Sequence, residues 1–403
     1  MGASIPANVT PAVLEWARRE AGYEDPQPVA KRLGVRPERL LAWERGESKP
    51  TLRQAQTLAR IYHRALAVFF LPEKPSSPPL AAQYRRLPGI QPGKESPELR
   101  VAIRVMCQRR EAAIQLSEEL GYSLPEFREV ARLSESPLDV GRRLRSALRV
   151  SEQEQQQWQN EWQAWRRWRE AVENLGVFVF QFPKVDLQEA RGITLPLFPA
   201  PVIGINTRET SAGARSFTLM HELVHLALAL AREEDVALRD QRSEVDWQQV
   251  ERFAEEVASA VLIPQPMLEE ALRQISVRRD TRDVQRVRQL AARFRVTPLA
   301  MATRLRAAGQ FTWTGYRRWK QEWDACVAQL PPRRGGFATP AEKTLGRAGR
   351  PFAQLVLEAL DSNRITAVEA CQYLDLRWDH LEKLRMELRV GPGATREPLD
   401  TGD

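Results

Sequence analysis

Hydrophobic residues recur at helical spacing through most of the chain, and one short stretch departs from that pattern. Residues 1–72 follow the helical pattern and end in a proline-rich segment, PEKPSSPPL, which is typical of a linker. The helical pattern returns at residues 81–175 and again at 211–310. Between them, residues 177–206 carry the β-branched or aromatic runs GVFVFQF, GITLPLF and APVIGIN, which predict short strands. The sequence therefore predicts a mainly α protein with one small β-sheet, an α+β fold.

The same pattern predicts where the domains begin and end. A linker separates the first helical segment from the rest, and the strands belong to a second domain. We expect an N-terminal helical domain at residues 1–72, a linker and helical spacer at 73–170, the strand-containing domain at 171–310, a C-terminal helical module at 311–390 and a flexible tail at 391–403.

Composition narrows the class of protein. The chain of 403 residues has 60 Lys and Arg against 52 Asp and Glu, a formal net charge of +8, which permits nucleic-acid binding without establishing it. No apolar run approaches the roughly 18 residues of a transmembrane helix. The cysteines, Cys107, Cys326 and Cys371, are far apart and odd in number, which favours a reducing compartment over a disulfide framework. We therefore expect a cytoplasmic protein without a membrane partner.

Residues 28–62 have the layout of a helix-turn-helix. An amphipathic helix stops at Gly34, a residue type common at helix C-termini, and a new helix begins with Pro37. The second helix of such a pair can enter the major groove of DNA. Residues 1–72 carry eleven Lys and Arg against seven Asp and Glu, so half of the net charge lies here. A helical hairpin for protein docking or dimerisation is the alternative interpretation.

The end of this segment resembles the XRE family of phage-repressor-like DNA-binding domains. The resemblance rests on Trp43-Glu44-Arg45-Gly46, followed by Pro50-Thr51. It implies that the recognition helix runs from Pro37 to Arg45 and that the partner is double-stranded DNA. Arg36, Arg39 and Arg45 are then the expected contacts to bases or phosphates.

The strongest chemical signal is the H-E-x-x-H motif formed by His221, Glu222 and His225. On a helix, four residues advance about 400°, so both imidazoles project from one face. That spacing lets two ring nitrogens bind one zinc ion at about 2.0–2.1 Å. In this motif the glutamate is the general base. We therefore predict a Zn²⁺ site with His221 and His225 as ligands and Glu222 as the catalytic residue.

A catalytic zinc site needs a third protein ligand, and several acids follow the motif. Glu251 and Glu255 share one helix face by their i,i+4 spacing. H-E-x-x-H followed by two such acids resembles the gluzincin arrangement. This resemblance implies that Glu251 is the third ligand and that Glu255 holds a ligand histidine from the second shell. The other candidates for the third ligand are Glu244, Asp246 and Glu256.

Two segments that contain these residues resemble the ImmA/IrrE family of metallopeptidases. They are RSFTLMHELVH at 215–225 and ERFAEEVASAVLIP at 251–264. The chain departs from the family pattern at Val224, Glu255 and Val257, where Gly, Asn or Asp, and Phe are common. The strand PVIGIN at 201–206 resembles the family's edge strand, against which a substrate would lie.

Together the two resemblances imply a DNA-binding transcriptional regulator fused to a zinc-dependent endopeptidase. The protein substrate they imply is a repressor or an antitoxin-like protein, cleaved in a stress response or in mobile-element control. Whether the chain forms a homodimer is left open. The alternative is a regulator that cleaves nothing and uses its peptidase-like domain as a sensor or a protein-docking module.

Overall fold

The computed structural model describes residues 5–76, 78–85, 87–275, 284–328 and 338–389. The predicted flexible tail at 391–403 lies outside the described residues. The chain forms two compact units. The first comprises Met1–Ala82 and Gly89–Val105, and the second comprises Gln83–Pro88 and Met106–Asp403. Of the predicted linker and helical spacer at 73–170, residues 83–88 and 106–170 therefore belong to the second unit.

The first unit contains the predicted helix-turn-helix. Its helices are α1 (Pro11–Glu20), α2 (Gln27–Leu33), α3 (Pro37–Glu44) and α4 (Leu52–Ile61). Gly34 ends α2 with a φ of 71°, a left-handed conformation that a residue without a side chain adopts readily. Pro37 begins α3, where a missing N–H is harmless. Leu40 and Trp43 of α3 are buried in the core of this unit, which anchors the helix by one face.

Helix α5 (Pro97–Leu120) begins in the first unit and continues into the second. The helices that follow, up to residue 307, are α6 (Pro137–Ala147), α7 (Glu152–Gln157), α8 (Glu161–Glu173), α9 (Ala212–Leu230), α10 (Glu244–Leu262), α11 (Gln265–Ile275), α12 (Val284–Arg293) and α13 (Pro298–Ala307). Helix α9 packs between α8 and α10, and its Leu219, Leu223 and Leu226 are fully buried. This packing fixes the polar side chains that α9 carries toward the sheet and α10.

The predicted strands form one small sheet in the second unit. They are β1 (Phe178–Phe182), β2 (Gly192–Leu195) and β3 (Val202–Asn206), in the order β1–β3–β2. Strand β3 is parallel to β1 and antiparallel to β2. The prediction that residues 201–206 form an edge strand is wrong, because β3 uses both of its sides for strand pairing. The edge strand nearest the H-E-x-x-H helix is β2, which packs against α9.

Helices α14 (Trp313–Ala328), α15 (Pro340–Ala348), α16 (Arg350–Asp361), α17 (Ala367–Leu374) and α18 (Leu381–Arg389) complete the described chain. Helix α15 packs against β1, and the guanidinium of Arg169 on α8 donates to the carbonyl of Gly346 on α15 (2.9 Å). The C-terminal helices therefore cover the β1 side of the sheet. Among the described residues, no helix is both long and apolar enough to cross a membrane.

Candidate metal centre

Helix α9 brings the two histidines of the motif together. The Nε2 atoms of His221 and His225 lie 3.0 Å apart, and the ring centroids are separated by 4.6 Å. The side chain of His225 is fully buried, whereas that of His221 remains 13% exposed. Because one helical turn separates the residues, both rings leave α9 on the same face. His225 thus forms the floor of the site and His221 its accessible side.

Helix α10 supplies a carboxylate to the same point. Glu251 lies 3.2 Å from Nε2 of His221 and 3.4 Å from Nε2 of His225, each measured to a carboxylate oxygen. Within the described parts of the chain, these residues form the group of His, Cys, Asp and Glu side chains that could hold a metal ion. The alternative acids Glu244, Asp246 and Glu256 are not part of this group; Glu256 pairs with Arg306 at 3.2 Å, and Asp246 accepts from the hydroxyl of Ser243.

The spacing of these donors fits a tetrahedral zinc ion. Ligands about 2.0–2.1 Å from a tetrahedral metal lie about 3.3 Å from one another. The measured separations are 3.0, 3.2 and 3.4 Å. Two imidazoles and one carboxylate are also the ligand set of many catalytic zinc sites, in which a fourth position stays open. The residues present therefore fit zinc by chemistry and by distance.

A second glutamate orients His225 from behind. Nδ1 of His225 lies 2.7 Å from Oε2 of Glu234, in the loop between α9 and α10, and the Glu234 side chain is 1% exposed. A carboxylate at Nδ1 keeps the proton there, which leaves Nε2 free to bind a metal. The sequence assigns a role of this kind to Glu255 as well; burial raises the pKa of that carboxyl and the nearby His221 opposes the rise, so a role of Glu255 at His221 stays a prediction. In the sequence, Glu234 is simply an acidic residue nine positions after His225. The conformation of the loop brings its carboxylate to Nδ1.

Glu222 is buried beside the two histidines, and strand β2 of the sheet holds its carboxylate in place. Its Oε2 accepts from the hydroxyl of Thr194 on β2 at 2.6 Å. Gly192, also on β2, makes room for it, since a Cβ there would lie 2.7 Å from Glu222 Oε1. Burial opposes the charged carboxylate, but Arg85 and the histidines outweigh burial and lower the pKa of Glu222. Glu222 is therefore held ionised in one orientation.

Arg85 was not anticipated from the sequence. It belongs to the predicted linker and helical spacer at 73–170, yet its side chain is only 2% exposed and lies among three carboxylates. Its guanidinium is 3.2 Å from Glu222, 3.1 Å from Glu251 and 3.9 Å from Glu234. Burial disfavours its charge, but the carboxylates outweigh burial and raise the pKa of Arg85. No motif signals such a residue, because it precedes Glu222 by 137 positions.

The predicted DNA contacts lie at or near α3 in the first unit. Arg36 is the residue at the N-cap of α3, and Arg39 and Arg45 follow it; all three are exposed. The guanidinium of Arg39 lies 5.9 Å from the ring of Trp43. Arg45 pairs with Glu47 through two hydrogen bonds of 2.6 and 3.1 Å. The surface of α3 thus presents arginine side chains to solvent.

Comparison with known families supports both domains. Residues 172–306 match the model of a peptidase family described as the IrrE N-terminal-like domain. Residues 14–69 match the model of a helix-turn-helix family. No curated protein matches the chain significantly. The predicted combination of an XRE-type helix-turn-helix with an ImmA/IrrE-like domain is confirmed. The chain carries a peptidase-like domain, and its helix-turn-helix suggests DNA-binding regulation.

Proposed function

We propose that this protein is a cytoplasmic DNA-binding regulator with a zinc-dependent endopeptidase domain that cleaves a repressor or an antitoxin-like protein. One observation carries the enzymatic part: His221, His225 and Glu251 offer donors at tetrahedral spacing beside the buried, ionised Glu222. A domain used only for docking needs neither three converging ligands nor a general base.

The residues have separate roles in this proposal. His221, His225 and Glu251 would hold the ion, and Glu234 keeps His225 in the tautomer that binds metal. A zinc ion held there supplies Lewis acidity, which polarises a peptide carbonyl and lowers the pKa of water. Glu222 accepts the proton from the attacking water and returns it to the leaving amine. Thr194 holds the Glu222 carboxylate in place for both transfers.

The test compares wild-type protein with Glu222→Gln. We expect one zinc ion per chain in both proteins, measured by elemental analysis. Cleavage of fluorogenic casein and of purified helix-turn-helix repressors should fall by about 10²–10⁴-fold in the variant, the usual contribution of a general base. Glu256→Gln is the matched control, because Glu256 lies on α10 and pairs with Arg306. A wild-type protein that takes up no zinc would contradict the enzymatic proposal.

The DNA-binding part is tested by salt dependence. A residue that contacts a phosphate contributes about one counterion, so its loss lowers the slope of log K against log salt by about 1. We expect this change for Arg36→Ala and Arg39→Ala on double-stranded DNA from upstream of the gene. Arg128→Ala is the control, because Arg128 is an exposed arginine of the second unit that pairs with Glu126. Unchanged slopes in the α3 variants would remove these residues from the interface.

A second function is favoured by one observation. Arg85 forms ion pairs with both Glu222 and Glu251, the general base and a ligand of the proposed peptidase. A regulator that cleaves nothing could keep this arrangement permanently and use the domain to bind a partner protein. Zinc binding without cleavage of any repressor, and without loss of regulation in Glu222→Gln, would favour this alternative.

A further inference from the structure

A short segment of the second unit lies along the free edge of β2. Residues 83–85, here called the strap, run between β2 and the loop that joins α9 to α10. The N–H of Arg85 donates to the carbonyl of Thr194 (3.1 Å), and the N–H of Ala237 in the loop donates to the carbonyl of Tyr84 (2.7 Å). Arg85 also forms an antiparallel bridge with Val236. The strap therefore fills the gap between the edge strand and the loop with hydrogen-bonded backbone.

The position of the strap is one that a peptide substrate would need. The open edge of a sheet presents unpaired backbone groups to which an extended peptide can add as a further strand. The strap already bonds to the carbonyl of Thr194, and the side chain of the same residue holds Glu222. A peptide that paired with β2 at Thr194 would have to displace the strap. The two cannot occupy this edge together.

The side chain of Arg85 also engages the chemical groups of the site. Nε of Arg85 donates to Oε2 of Glu222 (3.2 Å), and Nη2 donates to Oε1 (3.3 Å). Nη1 donates to Oε1 of Glu251 (3.1 Å). Both oxygens of Glu222 are thus engaged in hydrogen bonds with Arg85. The strap covers the peptide edge with its backbone and the general base with its side chain.

Contacts of Gln83 and Tyr84 also hold the strap in place. The amide oxygen of Gln83 accepts from the thiol of Cys107 on α5 at 2.7 Å, and the side chain of Tyr84 is almost fully buried. These contacts explain how a segment of three residues keeps its place. A peptide that displaces the strap has to replace these contacts together with the hydrogen bonds of Arg85.

We propose that the strap is an internal inhibitor of the candidate active site, which an extended, arginine-containing peptide displaces when it binds along β2. This inference rests on the proposed peptidase function, because it concerns regulation of the same site. The strap then sets a threshold: only a partner that binds β2 more favourably than residues 83–85 reaches Glu222.

The test measures peptide binding and needs neither zinc nor cleavage. The probe is a fluorescent peptide with the sequence of residues 80–90, LAAQYRRLPGI, and its affinity for full-length protein is measured by anisotropy. Arg85→Met removes the charge and keeps an apolar side chain of similar length. If the strap competes with the peptide, this variant binds it at least about tenfold more tightly, since apparent affinity scales with the open fraction.

Two controls separate competition from general loosening. Arg304→Met removes another fully buried arginine of the second unit, one that donates to the carbonyl of Ile263, and should bind the peptide as wild type does. A probe that itself carries Arg85→Met should bind the Arg85→Met protein at least tenfold more weakly than the original probe. If Arg85→Met does not fold, Arg85→Lys keeps the charge and loses the forked geometry, and should show a smaller gain in affinity in the same direction.

Three results would overturn the proposal. They are equal peptide affinity in wild type and the Arg85 variants, an equal gain in Arg304→Met, and cleavage of zinc-loaded wild type within the strap, detected by mass spectrometry. The last would make the strap a substrate. Absence of bound zinc would contradict the proposed function instead, and the peptide measurement would still decide the role of the strap.

Discussion

Two buried arginines, one in each unit, have different surroundings. Arg18 of α1 faces a single carboxylate, that of Glu44 on α3, through hydrogen bonds of 2.8 and 3.0 Å. Its remaining nitrogen donates to the backbone carbonyls of Tyr23 and Glu24. The pair is almost fully buried and electrically neutral, with side chains 4% and 3% exposed. It joins α1 to α3 and presents no unpaired charge.

Arg85 instead faces three carboxylates, those of Glu222, Glu234 and Glu251. When both histidines are neutral, as metal ligands must be, the three carboxylates and one guanidinium leave two negative charges, which is the charge that a divalent cation balances. A buried excess of charge is costly unless a cation or proton compensates it. A balanced buried pair therefore indicates a structural role, whereas an unbalanced cluster beside imidazole nitrogens indicates a binding site.

The largest effect is expected in the balanced pair. Arg18→Met leaves the Glu44 carboxylate buried without its partner, and loss of one member of a buried pair costs about 3–5 kcal/mol. We expect that decrease in the free energy of unfolding of the first unit, measured by urea denaturation with hydrogen exchange in α1 and α3. Arg18→Met combined with Glu44→Leu should recover most of it. A single variant as stable as wild type would show that the pair is not structural.

The unbalanced cluster should respond to metal. Zinc at one hundred times its dissociation constant stabilises a protein that binds it only when folded by about 2.7 kcal/mol. We expect this gain in thermal denaturation of the wild-type protein after removal of metal with a chelator and addition of zinc. Glu251→Gln should lose the gain. If wild type melts at the same temperature with and without zinc, the cluster around Arg85 does not differ from the Arg18–Glu44 pair in binding metal.

Glu234→Gln tests the oriented histidine. An amide at this position holds Nδ1 of His225 less strongly than a carboxylate does, and loss of such a partner lowers metal affinity by about 10–100-fold. Competition with a fluorescent zinc chelator measures the change. The neighbouring Glu233→Gln is the matched control, since Glu233 contacts Arg132 at 3.8 Å. If both variants bind zinc equally, Glu234 has no role at the metal.

The smallest effect is expected at an exposed pair. Arg45 and Glu47 form hydrogen bonds as short as those of Arg18, but both side chains are 56% exposed. Solvent screens such pairs, so Arg45→Met should leave the melting temperature within error. The predicted contact of Arg45 with DNA is measured separately: its loss in this variant should lower the salt slope of DNA binding by about 1. A large loss of stability would contradict the view that burial separates these pairs.

Much of the fold follows from local patterns in the sequence. The end of α2 at Gly34 and the start of α3 at Pro37 follow from backbone preferences of single residues. The order of the strands does not, because short apolar strands carry no mark of which neighbour they pair with. The central position of β3 was therefore missed, and β2 became the edge only when the sheet assembled.

The candidate site likewise has a part that the sequence predicts and a part that it does not. The sequence by itself determined that His221 and His225 share one face with Glu222 beside them, because the period of a helix fixes neighbours within one turn. Only the tertiary structure decided that Glu234 supports His225 and that Arg85 reaches the carboxylates. Those contacts depend on how α9, α10, β2 and the strap pack together, and the hydrophobic pattern that drives this packing specifies no partner for a distant polar residue.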